Sequence, residues 1–438
     1  MTLLDLTPRV NVSEKLSTLP VVIIGAGPIG LATAANLAER DIDFVVLEAG
    51  DRVAHSVREW GHTRLFSPWR HLVDPVARRL LERRGWELPA PDRAPSGTEL
   101  AELYVAPLAE LPEIAGRVRT GVEVLAVSRD GMDRTRTRGR ADTPFLVRTR
   151  DRSGEVDELA ARAVIDASGT YTSPNQLSSS GLELLGMGDI ADRVTPALPD
   201  VLGRDRERFA GKSVTVVGAG HSAANTLLAL VTLAREEPGT SVTWMIRNRQ
   251  AVRVSSSPDD QLTGRAHLGS RVDRAVQRGD VTMVDGFEII RARRADDRVQ
   301  LVGHRGGDVV THDTDVVVNA TGFRPNLDML REIRLDLDEI VEAPRRLAPL
   351  IDPNVHSCGT VEPHGFRELT HPEHGFFIVG MKSYGRAPTF LLATGYEQVR
   401  SVTAWLAGDM GAAQQVELVL PATGVCSTDQ VSGGGCCS

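Results

Sequence analysis

Cysteine is scarce in this chain, with four in 438 residues and three of them among the last thirteen. There is no Cys-x-x-Cys or Cys-x4-Cys. That excludes a disulfide framework and disfavours a dithiol relay within the core. No run of eighteen apolar residues occurs, so no membrane-spanning helix is expected. Met1 to Pro20 lack the apolar stretch of a signal peptide, and a cytoplasmic protein is the expectation. A net charge of −8 and a pI near 5.8 argue against nucleic acid or an anionic membrane as partner. The arginine-rich stretch Arg134 to Arg140 is short and reads as a solvated hairpin loop.

What is present is glycine in patterned places. The length calls for two domains, and 41% apolar residues with 41 glycines suit a turn-rich α/β protein. Gly25-Ala-Gly27-Pro28-Ile-Gly30 follows the apolar run Val21-Val-Ile-Ile24. Gly218-Ala-Gly220-His221-Ser222-Ala223 follows Val214-Thr-Val-Val217. One such pattern is weak, but two in strand–turn–helix context predict two dinucleotide sites. The first glycine makes the tight turn and the second lets the backbone approach a pyrophosphate. The third position lets helix and strand pack closely, so the helix N-terminus faces the phosphates.

The following strands separate the two sites. Phe44-Val-Val-Leu47 ends in Glu48, where a carboxylate accepts hydrogen bonds from a free ribose diol. Ser241 to Ile246 ends instead in Arg247-Asn-Arg249, which suits a ribose 2′-phosphate held by charge-assisted bonds. Solvated surface charge is the alternative for these arginines. The assignment is FAD at the first site and NADPH at the second.

The order of motifs predicts nested Rossmann-like α/β units with an accessory β meander. An N-terminal extension covers 1–18, the FAD domain 19–178 and 320–410, the NADPH domain 205–319, and a cysteine-bearing tail 411–438. Segments 122–127 and 145–149 read as pieces of the meander. Ser173 to Arg208 reads as a polar linker, and Thr394 to Ala407 as the last helix.

The two fingerprints, Asp166-Ala-Ser168-Gly169 and Asn319-Ala-Thr321-Gly322 together resemble the two-dinucleotide flavoprotein oxidoreductases. Phe209-Ala-Gly211-Lys212 looks like the flavin-containing monooxygenase branch. Gly380 to Leu392 with Gly395-Tyr-Glu-Gln398 is similar to the arsenic-resistance-associated bacterial group of that branch. The Phe-x-Gly-x-x-x-His fingerprint of flavin monooxygenases is missing between Ser173 and Phe209, which puts a typical amine, sulfide or Baeyer–Villiger substrate in doubt. The resemblance implies oxygenation of a small soft substrate by O2 through a C4a-hydroperoxyflavin. It also places Ser168, Gly169, Thr321 and Gly322 near the cofactors. Trp69 and Val124 join the FAD set, while Thr389 and Phe390 open a helix that could face the flavin. Two other readings stay open. One is an NADPH-dependent reductase of a metalloid or quinone, and the other a non-catalytic thiol-based metalloid carrier. A homodimer is also left open.

No catalytic acid or base stands out. Trp60 to Arg70 is rich in aromatics and donors, and its Arg64 and Arg70 are candidates for offsetting charge on reduced flavin; an aromatic packing corner is the alternative. His356, Cys358, His364, His371 and His374 cluster without any standard zinc spacing, so no structural metal is expected. Cys358 and His364 are candidates for a substrate pocket. Cys426, Cys436 and Cys437 lie on a Gly-rich tether and, with Cys358, could bind arsenite.

Overall fold

The structure is a computed structural model that describes residues 16–249, 263–352, 364–387 and 390–418. Strand β1 (Val21–Ile24) is buried on both faces, as a central parallel strand must be. Helix α1 (Pro28–Glu39) starts with proline in its first turn and buries ten of its twelve residues. Strand β2 (Phe44–Glu48) pairs in parallel with β1. Helix α2 (Pro75–Glu82) is capped by Asp74, whose carboxylate accepts from Ala77 N. Strand β3 (Val118–Thr120) then forms the sheet edge. Strands β4 (Val122–Arg129), β5 (Phe145–Asp151) and β6 (Val156–Ala161) make the expected antiparallel meander. The chain re-enters the first sheet at β7 (Ala163–Asp166) beside β1.

The second sheet begins at β8 (Val194–Thr195) and β9 (Ser213–Val217). Helix α3 (His221–Glu236), β10 (Ser241–Met245), helix α4 (Thr263–Gln277) and β11 (Thr282–Val284) follow. A second antiparallel meander, β12 (Glu288–Ala295), β13 (Arg298–Arg305) and β14 (Asp308–Thr314), precedes β15 (Val316–Asn319). Strand β16 (Phe376–Ile378) returns to the first sheet beside β7, and helix α5 (Leu392–Leu406) packs on α1. The orders are β16-β7-β1-β2-β3 and β11-β10-β9-β15-β8, both parallel. One parallel sheet, with helices on one face and a meander on the other, is thus nested inside the chain path of another of the same kind. Among the described residues no helix is long and apolar enough to cross a membrane.

Three features correct the reading of the sequence. Ser173 to Arg208 is no loose linker. It supplies β8, and its Leu177, Leu184 and Ile190 are buried with Val217, Met245 and Phe287, so the second sheet draws on residues before 205. Glycine, proline and serine between these apolar positions disguised them. A second meander lies inside the segment read as one Rossmann unit. Finally, Arg140 is not solvated. It and Arg129 are buried against the Glu373 carboxylate, clamping the first meander to the segment before β16. Residues 233 and 244 positions apart meet there, which composition of a short stretch does not reveal.

Candidate functional site at the crests of the two sheets

Each fingerprint folds into the same device. Gly25 has φ +99°, and a Cβ there would lie 2.8 Å from Ala167 O. Gly218 has φ +130°, and its Cβ would lie 2.1 Å from Ala320 O. Only glycine tolerates this conformation and this approach together. A Cβ at Gly27 or Gly220 would meet nothing within 4 Å, so both backbones face open space at uncapped helix N-termini. That open amide surface fits a pyrophosphate at each turn.

The crossing loops that press on these glycines are also paired. Asp166 Oδ1 accepts from Ser168 N at 3.1 Å and Ser168 Oγ at 2.6 Å. Asn319 Oδ1 accepts from Thr321 N at 3.3 Å and Thr321 Oγ1 at 2.7 Å. Gly169 and Gly322, at φ +71° and +96°, complete the turns. The supports differ. Asp166 Oδ2 is 2.6 Å from Lys382 Nζ, which also donates to Ser168 Oγ at 3.1 Å, and both members of this ion pair are fully buried. Asn319 Nδ2 instead donates to Asn175 O at 2.9 Å, and the single Thr321 hydroxyl hydrogen is shared between Asn319 Oδ1 and Asn175 O. Lys382 was missed in the sequence because its partner lies 216 residues away.

At the first site the Glu48 carboxylate accepts from Ala26 N at 2.7 Å and Gly50 N at 2.8 Å. Two further lone pairs remain for a ribose diol. At the second, Arg247 donates to Ser179 O at 3.1 Å, and Arg249 lies across Gly286 and Gly306. Neither arginine has a carboxylate partner among the described residues.

A cavity of about 230 Å³ opens beside the second device. His221, Ser222 and Asn225 from the start of α3, Phe390 to Leu392 at the start of α5, and the 60–72 segment all line it. Arg64 is part of the lining, and the Phe66 and His221 rings stand 5.0 Å apart. Arg70 is outside it, in an exposed ion pair with Asp92. Trp69 is fully buried, and its indole Nε1 has no hydrogen-bond partner among the described residues. Val124 sits at the register shift of β4, half-buried.

Among the described residues, His364, His371 and His374 each have separate partners. His364 is buried and accepts from the Gln398 amide at 2.9 Å. His371 accepts at Nδ1 from Asp336 N, and burial pushes its pKa down to about 4. His374 gives its carbonyl to Arg129. Among the described residues no group of His, Cys, Asp or Glu could hold a metal ion. His356, Cys358, Thr389, Cys426, Cys436 and Cys437 lie outside the described residues.

A second buried network supports the cavity wall. Tyr396 of α5 donates to Leu72 O at 2.7 Å, and Tyr104 OH accepts from Asp74 N at 3.1 Å. Asn36 of α1 donates to the Asp74 carboxylate at 3.1 Å, and burial raises the Asp74 pKa to about 7.

Two parallel sheets, each with a glycine turn at its crest, define a two-dinucleotide oxidoreductase architecture. The family model described as pyridine nucleotide-disulphide oxidoreductase matches residues 22–357, and the chain belongs to that family. It is similar to indole-3-pyruvate monooxygenase YUCCA1 of Oryza sativa subsp. japonica, at 30% identity over 218 residues. That match covers 48% of this chain and 44% of the relative, so the chain spans less than half the length of the curated relative it matches. The bacillithiol disulfide reductase of Bacillus cereus superposes with a TM-score of 0.65 at 20% identity, covering 89% of this chain and 99% of its own. The ornithine N-hydroxylase of Kutzneria sp. 744 superposes with a TM-score of 0.61 at 15% identity, covering 91% and 100%. These two likenesses show the shared fold.

Proposed function

We propose that the protein is an FAD- and NADPH-dependent monooxygenase acting on a small substrate in the cavity beside the second glycine turn. The observation that carries this reading is the pair of open-faced turns, the first ended by Glu48 and the second by Arg247 and Arg249, with a cavity opening beside the second. Gly25, Gly27, Glu48, Ser168 and Gly169 would hold FAD. Gly218, Gly220, Ser222, Arg247 and Arg249 would hold NADPH, with the arginines on the 2′-phosphate. The bound flavin would supply the redox chemistry, taking a hydride from NADPH and reducing O2 so that one oxygen atom enters the substrate and the other leaves as water. The chain's own groups bind, orient and exclude water. The apolar cavity wall and the Tyr396–Leu72 bond that holds it serve that exclusion. A disulfide substrate is disfavoured because the sequence has no Cys-x-x-Cys or Cys-x4-Cys pair.

The arsenic-resistance resemblance and the four thiols suggest an arsenical as the substrate, with those thiols as its ligands. Arsenite-stimulated NADPH oxidation that is lost in a chain truncated after Pro421 would support this. Arsenite binding without any NADPH oxidation would favour the carrier reading.

The test of the main reading is NADPH oxidation under ¹⁸O2. Incorporation of one labelled atom per product supports oxygenation, whereas rapid anaerobic turnover with an added quinone and no label in any product supports the reductase. Replacing both Arg247 and Arg249 with Ala is expected to raise the KM for NADPH by roughly 10- to 100-fold and to leave that for NADH unchanged. Equal effects on both nucleotides would remove the 2′-phosphate role.

A further inference from the structure

The cavity has a marked chemical bias. Trp60, Leu65, Phe66, Leu72, Leu198 and Phe390 to Leu392 make more than half of its lining. Among the described residues no carboxylate lines it, and Arg64 is its only arginine or lysine. The Arg64 guanidinium is exposed at the rim and gives one N–H to Ala94 O at 2.5 Å. Among the described residues no carboxylate stands within 4 Å of it, although the Glu99 carboxylate feels its charge, and most of its five donors stay available.

The backbone that carries this arginine is held. Arg64 forms an antiparallel bridge with Ser96, Leu65 N donates to Pro95 O at 2.8 Å, and Gly97 N donates to Thr63 O at 2.9 Å. Ser96 in turn closes a capping box with Glu99. The guanidinium is therefore presented from a pinned pair of segments. An ammonium-bearing molecule would meet its charge and find no acid in the lining. A planar oxyanion would find a bidentate donor next to an apolar wall.

We infer that this cavity takes a small organic anion with an apolar body, its carboxylate or equivalent oxyanion held by Arg64 and its body covered by Trp60, Phe66 and Phe390. The inference rests on the monooxygenase reading, because it names the substrate class of the same cavity. Arg64 is thus a specificity-determining residue.

The test titrates the FAD-loaded enzyme with acetate, octanoate and phenylacetate, and with phenylacetamide as the neutral counterpart, following the flavin absorbance. Phenylacetate is expected to bind roughly 10- to 100-fold more tightly than phenylacetamide, as a charge-assisted contact implies. Arg64→Gln should bring the acid to the level of the amide, and Arg64→Lys should restore part of the difference. Equal affinity for acid and amide, or no saturable binding by any of the acids, overturns the inference. So does an Arg64→Gln enzyme that loses NADPH affinity but keeps its affinity for the acid, since Arg64 would then serve the dinucleotide. NADPH oxidation by the same wild-type preparation is read alongside. Its absence counts against the monooxygenase reading, while the acid-over-amide preference still decides the inference.

Discussion

At the first turn Gly25 presses on Ala167 O and Gly30 packs so tightly that a Cβ would lie 1.9 Å from Gly25 O. At the second, Gly218 presses on Ala320 O in the same way, yet the third position is Ala223, fully buried and accommodated. The first turn is propped by a buried ion pair, Lys382 with Asp166, and the second by neutral bonds from Asn319 and Thr321 to Asn175. The first ends in a carboxylate and the second in two arginines. The backbone device is thus constant, because a pyrophosphate makes the same demand at each site. The parts that differ are the packing tolerance behind the turn, the charge beneath it and the charge at the ribose end.

The comparison can be broken first at its tightest contact. Gly30→Ala puts a methyl group against a backbone carbonyl that no side-chain rotation can move, so flavin should be lost almost completely on purification. Ala223→Gly should leave flavin content unchanged and cost only about 1 kcal/mol of helix stability. Flavin-to-protein absorbance ratios decide this, and a fully yellow Gly30→Ala protein would refute the close-approach argument.

The next largest effect concerns the props. Lys382→Met strands the Asp166 carboxylate in a dry site, a change that costs about 3–5 kcal/mol for buried pairs. Asn319→Ala removes neutral hydrogen bonds, at about 1–2 kcal/mol. Thermal unfolding should rank the first variant well below the second. The reverse order would show that the ion pair carries no more than its neutral counterpart.

The smallest effect sharpens the role of the cavity wall. Burial keeps the Asp74 carboxyl protonated up to about pH 7, whereas an unfolded aspartate releases its proton near pH 4. The folded-state value is the raised one, so the bound proton's stabilisation is complete below about pH 4. It is lost as pH rises through about 7. Asp74→Asn keeps an acceptor for Ala77 N, and Asn36, Tyr104 and Tyr396 remain around it. Arg79 is the nearby cation. Relative to the wild type, this variant should gain melting temperature between pH 5 and pH 8. A constant difference across that range would show that Asp74 does not titrate there.

The two turns, Glu48 and the arginines were legible because each signal is local. A strand, a glycine turn, a helix and the next strand end fit within about 30 residues, where residue type alone dictates what the backbone can do. Ser168 and Thr321 were legible only through a resemblance; the shared bond to the residue two positions back appeared with the coordinates. Arg140 was misread as solvated, since the charge that buries it stands at Glu373. The segment before 205 was misread because isolated apolar residues have no period and gain meaning only from the sheet they cover.

The sequence by itself determined that two dinucleotide-type turns exist and which end carries the acid and which the arginines, because strand, turn and helix preferences act over a few residues. Only the tertiary structure decided that a cavity opens beside the second turn, that Arg64 lines it while Arg70 does not, and that Lys382 lies beneath the first turn. Those outcomes depend on contacts between segments far apart in the chain, made only once apolar burial has brought the sheets together.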